Sequence, residues 1–391
     1  MSEYDVIVVG AGFSGAVLAE RFAKIQDKKV LVLEQRSHVA GNCYDYKTEH
    51  GVTVHHYGPH LFHTNNEEVW QYLSQFTKWT PYEHKVLGSI DGSLVPIPFN
   101  LNTLDALYSE EQARQIEALL IEQYGVDGKV PILELRKSSH VLLQQLGELV
   151  YQKFFVNYTS KQWGCSPEEI SPAVTARVPV VISRDDRYFH DKYQAIPSEG
   201  YTQLITNILN HPNITVHLDT DATKLVTLNM NDQLLYFNGQ VFNGKLVFTG
   251  MLDELFDYLD GELPYRSLQF DFETLPQAQY QAATTVNYPN EHAYTRITEF
   301  KHILNQPTTH TTIVKEYPQD YDRFDATKNV PYYPIFNQAN QERFEQYKQR
   351  VRAFENVITA GRLADYKYYN MDDAVGNALK IFNRFTEQGA A

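Results

Sequence analysis

Gly10, Gly12 and Gly15 follow directly on four apolar residues, Val6–Val9, and Glu34 closes a second apolar run, Val30–Leu33. Glycines at that spacing serve one kind of chemistry. Gly10 permits a tight turn, Gly12 lets backbone N–H groups approach a pyrophosphate, and Gly15 lets a helix pack closely on a strand. The helix that starts there turns its partly positive N-terminus toward the phosphates. Glu34, about 20 residues further on, can accept hydrogen bonds from a ribose diol. Tyr4 to Glu34 thus predicts a strand, a glycine turn, a helix and a second strand, which together hold a dinucleotide. NAD and FAD fit this unit equally.

Four imidazoles crowd the next stretch: His55, His56, His60 and His63. No carboxylate or cysteine set stands at ligand spacing around them, so no metal is expected. Gly58-Pro59-His60 instead predicts a turn that presents one imidazole to a cofactor. Arg177 lies in the apolar run TARVPVVI, where a guanidinium needs an anionic partner. An internal carboxylate or a ligand would serve.

The elements that position these residues are legible in outline. Residues 86–99 read as a hairpin turning at Asp91-Gly92, which Pro96 and Pro98 then break. Residues 103–155 read as helices, one capped by Ser109 and closed by Gly125. Leu142, Leu146, Leu149 and Val150 recur at helical spacing and read as core. Ser166-Pro167 predicts another helix start. Strands are expected at 174–182, 188–193, 214–217, 225–227, 234–237 and 241–247, with a helix at 201–209. Residues 245–250 read as a buried strand returning to the nucleotide unit. Strand-like alternation fills 266–317, an amphipathic helix 338–354 and a last strand 357–362. Asn370 caps a final helix. The nucleotide unit therefore looks assembled from separated pieces with other modules inserted.

Composition narrows the function. Acidic residues number 48 against 34 basic, a net charge of −14, which argues against nucleic acid or an anionic membrane as partner. An anionic small ligand would need local arginines. Cys43 and Cys165 form neither a disulfide framework nor a zinc motif. No apolar run nears the roughly 20 residues of a membrane span. A strand beginning by Tyr4 leaves no room for a signal peptide, so the cytoplasm is expected.

Several stretches point together: GAGFSGAV at 10–17, GNCYD at 41–45, YGPHLFHT at 57–64 and YTSKQWG at 158–164. RYFHDKYQAIPSEGYT at 187–202, YTRI at 294–297, KEYP at 315–318 and GRLADYKYYNMDDAV at 361–375 join them. End to end, the chain resembles the bacterial UDP-galactopyranose mutases. The resemblance implies an α/β protein: a discontinuous Rossmann-like FAD-binding domain (1–80, 198–260 and 340–391), a helical domain (100–170) and an antiparallel β-sheet domain (81–99, 171–197 and 261–339). It implies FAD, active when reduced, and interconversion of UDP-galactopyranose and UDP-galactofuranose with no net redox. N5 of the flavin would form a covalent adduct with the anomeric carbon. The nucleotide unit alone also fits a flavin oxidoreductase of the amine-oxidase type, or a non-catalytic nucleotide binder.

The resemblance also assigns residues. Trp163 would stack on uracil, beside Tyr158 and Thr159, with Phe154 as an apolar wall. Arg177 and Arg296 would bind the diphosphate and act in catalysis with His60. Two such contacts and one stack sum to roughly 4–9 kcal/mol before ordering costs, in the range of micromolar binding. Tyr188, Phe189, Tyr317, Tyr368, His84 and Asn287 would line the sugar. Gly10, Gly12, Phe13, Ser14, Gly15, Glu34, Gln35, Asn42, His60, Leu61, Arg362, Tyr368, Asn370 and Met371 would hold FAD. Many relatives carry Asp where this chain has Asn370, which caps a helix but brings no charge. A reductant such as NAD(P)H and a homodimer or larger homo-oligomer are expected.

Overall fold

A computed structural model describes residues 3–164 and 179–388. Its centre is a five-stranded, fully parallel sheet in the order Ile214–His217, Val30–Leu33, Val6–Val9, Lys245–Phe248, Val357–Thr359. The three central strands are almost continuously apolar because helices or a small sheet cover both faces. On one face pack Phe13–Gln26, Tyr201–Leu209 and Met371–Gln388, sharing a core with Phe22, Ile205 and Leu379. On the other lie the helix Gln338–Val351 and the meander Val226–Asn229, Leu234–Phe237, Gln240–Val241. Asn238 and Gly239 both have positive φ, as the tight turn inside that meander requires.

A seven-stranded sheet runs Tyr333–Pro334, Tyr265–Leu275, Thr311–Asp320, Arg296–Glu299, Thr285–Asn287, Val86–Ile90, Ser93–Ile97. Every pairing is antiparallel except Thr285–Asn287 against Val86–Ile90, which is parallel. Those two strands are far apart in the chain, so no hairpin constrains their direction. Asp91 and Gly92 turn the hairpin as the sequence predicts. Pro96 does not break it: Ser93–Ile97 is an edge strand, where a missing N–H costs no ladder bond.

The helical part comprises Leu101–Leu107, Glu110–Tyr124, Ile132–Leu135 and Val141–Val150 around one core. Ser109 accepts from the Gln112 N–H, and Gly125 closes that helix. Val141–Val150 continues through a π-helical turn, Tyr151–Val156, into Asn157–Trp163. The π turn re-aims the last helix relative to the one before it. Lys129–Pro131 interrupts the helices as a strand and pairs with the returning Pro179–Val181. The expected strand at 188–193 is absent; the strand is Tyr193–Pro197, and 187–192 is irregular. There the Arg187 side chain turns back on Asp185 (Nη2 to Oδ2, 2.6 Å) and the Tyr188 N–H donates to the His84 carbonyl (2.7 Å). The helix start at Ser166-Pro167 and residue Arg177 lie outside the described residues.

Gly15 is where the first helix touches its strand. A Cβ there would stand 1.9 Å from the Gly10 carbonyl oxygen and 3.2 Å from Val8 Cγ1. Gly15→Ala is expected to cost about 2–3 kcal/mol or more by overpacking, read as a lower unfolding midpoint of the flavin-free protein; an unchanged midpoint would refute the close contact.

Candidate active site

One cleft of about 500 Å³ opens where the ends of the parallel strands meet the large sheet and the helix Asn157–Trp163. Its wall includes Gly10, Gly12, Phe13, Ser14, Gly15, Glu34, Gln35, Asn42, His60 and Leu61, then His84, Tyr158, Tyr188, Phe189, Asn287, Arg296, Arg362, Tyr368, Asn370 and Met371. Residues 10 to 371 of the chain thus converge on one space.

The glycines divide by what surrounds them. Gly10 (φ +97°) faces Thr249, whose Oγ1 would stand 2.2 Å from an added Cβ. Gly12 differs: its φ is −80°, and the nearest atom to an added Cβ is Gly41 Cα at 3.9 Å. The protein does not need glycine there; the open space at the helix N-terminus fits a pyrophosphate close to the backbone. Glu34 is buried and braced, accepting from the Ala11 N–H (2.8 Å) and the Arg36 N–H (3.0 Å).

Arg36, also on the cleft wall, escaped the sequence reading. Its Nη2 donates to Asn42 Oδ1 (2.9 Å), its guanidinium lies 4.3 Å from the Tyr57 ring centre, and its buried Nη1 has no partner among the described residues. An orphaned buried donor beside the glycine cradle suits a polar group of the cofactor. At the opposite side, Gly361 (φ +98°) lies against Ser14, whose Oγ would stand 3.0 Å from an added Cβ, and Arg362 follows it on the cleft wall. Asn370 precedes the final helix and its carbonyl accepts from the Ala374 N–H (3.1 Å).

Arg296 and Glu316 are register partners on neighbouring strands. Arg296 Nε donates to Glu316 Oε1 at 2.6 Å, and Glu316 is 2% exposed. Burial works against the charged guanidinium, but the Glu316 carboxylate outweighs it and holds the arginine's pKa above its ordinary value. Nη1 and Nη2 make no hydrogen bond to the described residues, so both remain for an anion.

Three imidazoles behind and on the wall are neutral. His55 is fully buried and pushed down to about 3 by burial alone; its Nδ1 accepts from the His60 N–H (2.9 Å). His60 donates Nδ1–H to the Gly58 carbonyl (2.8 Å), which leaves Nε2 as acceptor; burial, then His55, Arg362 and Arg296, push it to about 3. His84 is likewise lowered to about 3 by burial, Arg296 and His63. His63 also lines the cleft, stacked 3.7 Å from Phe189 and bonded to Asp191 (2.9 Å). Burial raises Tyr158 to about 12, so it stays a phenol.

Four expected residues stand off the wall. Trp163 lies behind Tyr333, with ring centres 6.2 Å apart, and Tyr333 stacks toward Tyr368 at 5.9 Å. Tyr333 lines the cleft, and nothing in VPYYPI marked it out. Thr159 is buried, Tyr317 packs against Tyr294, and Phe154 packs on Phe99 in the helical core. The end of the Trp163 helix is docked firmly: Lys161 Nζ donates to the carbonyls of Tyr288 (2.7 Å) and His292 (2.8 Å), and Arg266, paired with Asp320, donates to the Gln162 carbonyl (3.2 Å).

Two outcomes follow from this geometry. Gly12→Ala is expected to fold like the parent yet retain little bound dinucleotide, read as flavin content after purification; full retention would refute the cradle. His55 takes a proton near 6.5 when unfolded but only near 3 when folded. Its contribution is therefore complete above pH 6.5 and is lost as pH falls toward 3. At pH 5 the loss is about 2 kcal/mol. Chemical denaturation at pH 7.5 and 5 should show His55→Asn with a correspondingly shallower pH dependence than the parent.

The chain matches the UDP-galactopyranose mutase family profile over residues 153–368 and a profile for NAD(P)-binding Rossmann-like domains over residues 8–76. It is 34% identical to the dTDP-fucopyranose mutase of Escherichia coli, covering 96% of both chains. It is 33% identical to a probable UDP-galactopyranose mutase of Klebsiella pneumoniae, covering 98% of this chain and 95% of that one. Among solved structures, a reduced UDP-galactopyranose mutase superposes with a TM-score of 0.72 at 16% identity, over all of this chain and 95% of the other. Profile, near-full-length identity and fold agree: this chain is an isomerase that uses FAD, and it belongs to the UDP-galactopyranose mutase family.

Proposed function

We propose that this enzyme interconverts UDP-galactopyranose and UDP-galactofuranose on reduced FAD with no net redox change. The observation that carries the reading is Arg296 in the same cleft as the dinucleotide cradle, held at Nε by buried Glu316 while both Nη groups have no described partner. When bound and reduced, FAD would supply a nucleophilic nitrogen, N5, for the anomeric carbon. Gly12, the first turn of the helix Phe13–Gln26 and Arg362 would hold its pyrophosphate side, and Glu34 the ribose. Arg296, with Arg177 from outside the described residues, would hold the diphosphate and stabilise its charge as it leaves. His60 and His84, neutral, would accept hydrogen bonds without adding charge. Tyr158, Tyr188, Phe189, Asn287 and Tyr368 would frame the sugar. Tyr333 and Trp163 would form the aromatic end for uracil, with Phe154, Thr159 and Tyr317 as its support. Asn370 and Met371 would bring helix N–H groups toward the flavin.

The relatives divide between uridine and thymidine nucleotide sugars. The family profile supports the uridine sugar. We also infer the three-part domain organisation at the boundaries given above, a reductant such as NAD(P)H, a cytoplasmic setting and a homodimer or larger homo-oligomer. No described helix is long and apolar enough to cross a membrane, and the net charge of −14 disfavours nucleic acid.

Incubation with UDP-galactofuranose should yield the pyranose with dithionite and none without it; no conversion by fully loaded, reduced enzyme would overturn the reading, and net oxidation of an amine would favour an oxidase. Arg296→Ala is expected to lower kcat/KM about 100-fold, a loss of about 3 kcal/mol, while the protein stays yellow. Arg296→Lys keeps Glu316 paired and isolates the lost fork. Arg177→Ala should behave like Arg296→Ala. Near-parental kinetics in either alanine variant would refute its diphosphate role.

A further inference from the structure

His84 is buried, yet it stands on the cleft wall, and its ring is oriented from behind. The Tyr82 hydroxyl donates its one proton to Thr284 Oγ1 at 2.7 Å. Its second link, 3.1 Å to His84 Nδ1, must then be as acceptor, so Nδ1 carries the imidazole proton. Thr284 is itself fixed: it is buried, and its carbonyl accepts from the Glu299 N–H (2.8 Å) and Gln281 Nε2 (3.0 Å). The His84 carbonyl accepts from the Tyr188 N–H, and the ring meets Tyr188 edge-on (5.7 Å) and Phe189 more nearly parallel (5.8 Å). Nε2 makes no hydrogen bond to the described residues.

We propose that Tyr82 and Thr284 are positioning residues that fix the tautomer of His84, so that its Nε2 accepts a hydrogen bond from the sugar's C6 hydroxyl and rejects the 6-deoxy sugar. The inference rests on the nucleotide-sugar reading above. The two ring oxygens that exchange during the reaction must each be free to reach the anomeric carbon. The exocyclic C6 hydroxyl takes no part in that exchange, and it alone separates galactose from its 6-deoxy counterpart, fucose. Burial, reinforced by Arg296, keeps the imidazole neutral, so Nε2 has no proton to give. A methyl group set against such an acceptor leaves it unpaired, and sites of that kind discriminate strongly.

Titration of the flavin-loaded protein with UDP-galactose and UDP-D-fucose tests this without relying on turnover. The parent should bind UDP-galactose at least tenfold more tightly. Tyr82→Phe should weaken UDP-galactose alone, and His84→Phe should bring the ratio near one. Imidazole ¹⁵N shifts, assigned by difference against His84→Phe, should show Nδ1–H in the parent and a tautomer mixture in Tyr82→Phe. Flavin content and unfolding midpoint report whether each variant folds. A parental ratio near one, a ratio untouched by Tyr82→Phe, or an Nε2–H parent would overturn the proposal. Failure to bind either sugar would overturn it together with the proposed function; preferential binding without conversion would sink only the latter.

Discussion

The fold depends on one close approach between segments that are distant in sequence. Thr249 continues the strand Lys245–Phe248; its N–H (3.1 Å) and Oγ1 (2.7 Å) both donate to the Val9 carbonyl. That pins the end of one parallel strand to the end of its neighbour, directly over the bare face of Gly10. Gly15 then seats the first helix against the Gly10 carbonyl, and Gly361 brings the last strand's loop against Ser14. Each contact has room for hydrogen and none for a methyl group. Parallel strands open their ligand crevice at their C-terminal ends, so the contacts that tie three chain segments together also form the cofactor's floor.

The second constraint is electrostatic. A protein with net charge −14 must attract a dianionic diphosphate against its own field. Arg296 supplies local charge, but an arginine facing an empty cleft would swing among rotamers. Glu316 removes that freedom through a bond to Nε, at the cost of burying a carboxylate. The cross-strand register makes the pairing inevitable once the sheet forms, so the proposed anion site would be specified by strand pairing rather than by a loop.

What could be read from the sequence follows the range of the forces involved. Gly10, Gly12, Gly15 and Glu34 were legible because one short unit fixes all four. The helix cap at Ser109, the helix start after Asn370 and the turns at Asp91-Gly92 and Asn238-Gly239 are equally local. Arg296 and Tyr158 were reached only through resemblance, since nothing within ten residues explains them. Arg36, Glu316 and Tyr333 were missed for the same reason: their roles arise from partners 21, 20 and 35 residues away, counted to Tyr57, Arg296 and Tyr368. Glu316 shares a strand face with Val314 and Pro318 and reads as an ordinary inward strand position. The strand expected at 188–193 rests on its aromatics, but Arg187 folds its side chain onto Asp185 and bridges only Lys85, the Tyr188 N–H is taken by the His84 carbonyl, and the regular strand begins at Tyr193.

The imidazoles show why so many histidines can surround a diphosphate site without competing for it. A protonated His60 or His84 would attract the diphosphate and, on the proposed reading, would do so at the sugar end, away from the guanidiniums. Burial prevents this: both stay neutral, and backbone or phenol partners fix which nitrogen is bare. At these two positions no positive charge competes with the guanidiniums, which cannot lose theirs. Neutral acceptors are left to face hydroxyl groups. A nucleotide sugar presents that same division, an anionic link beside a ring of donors, so on the proposed reading the two classes of nitrogen in the cleft would set the direction in which the ligand enters.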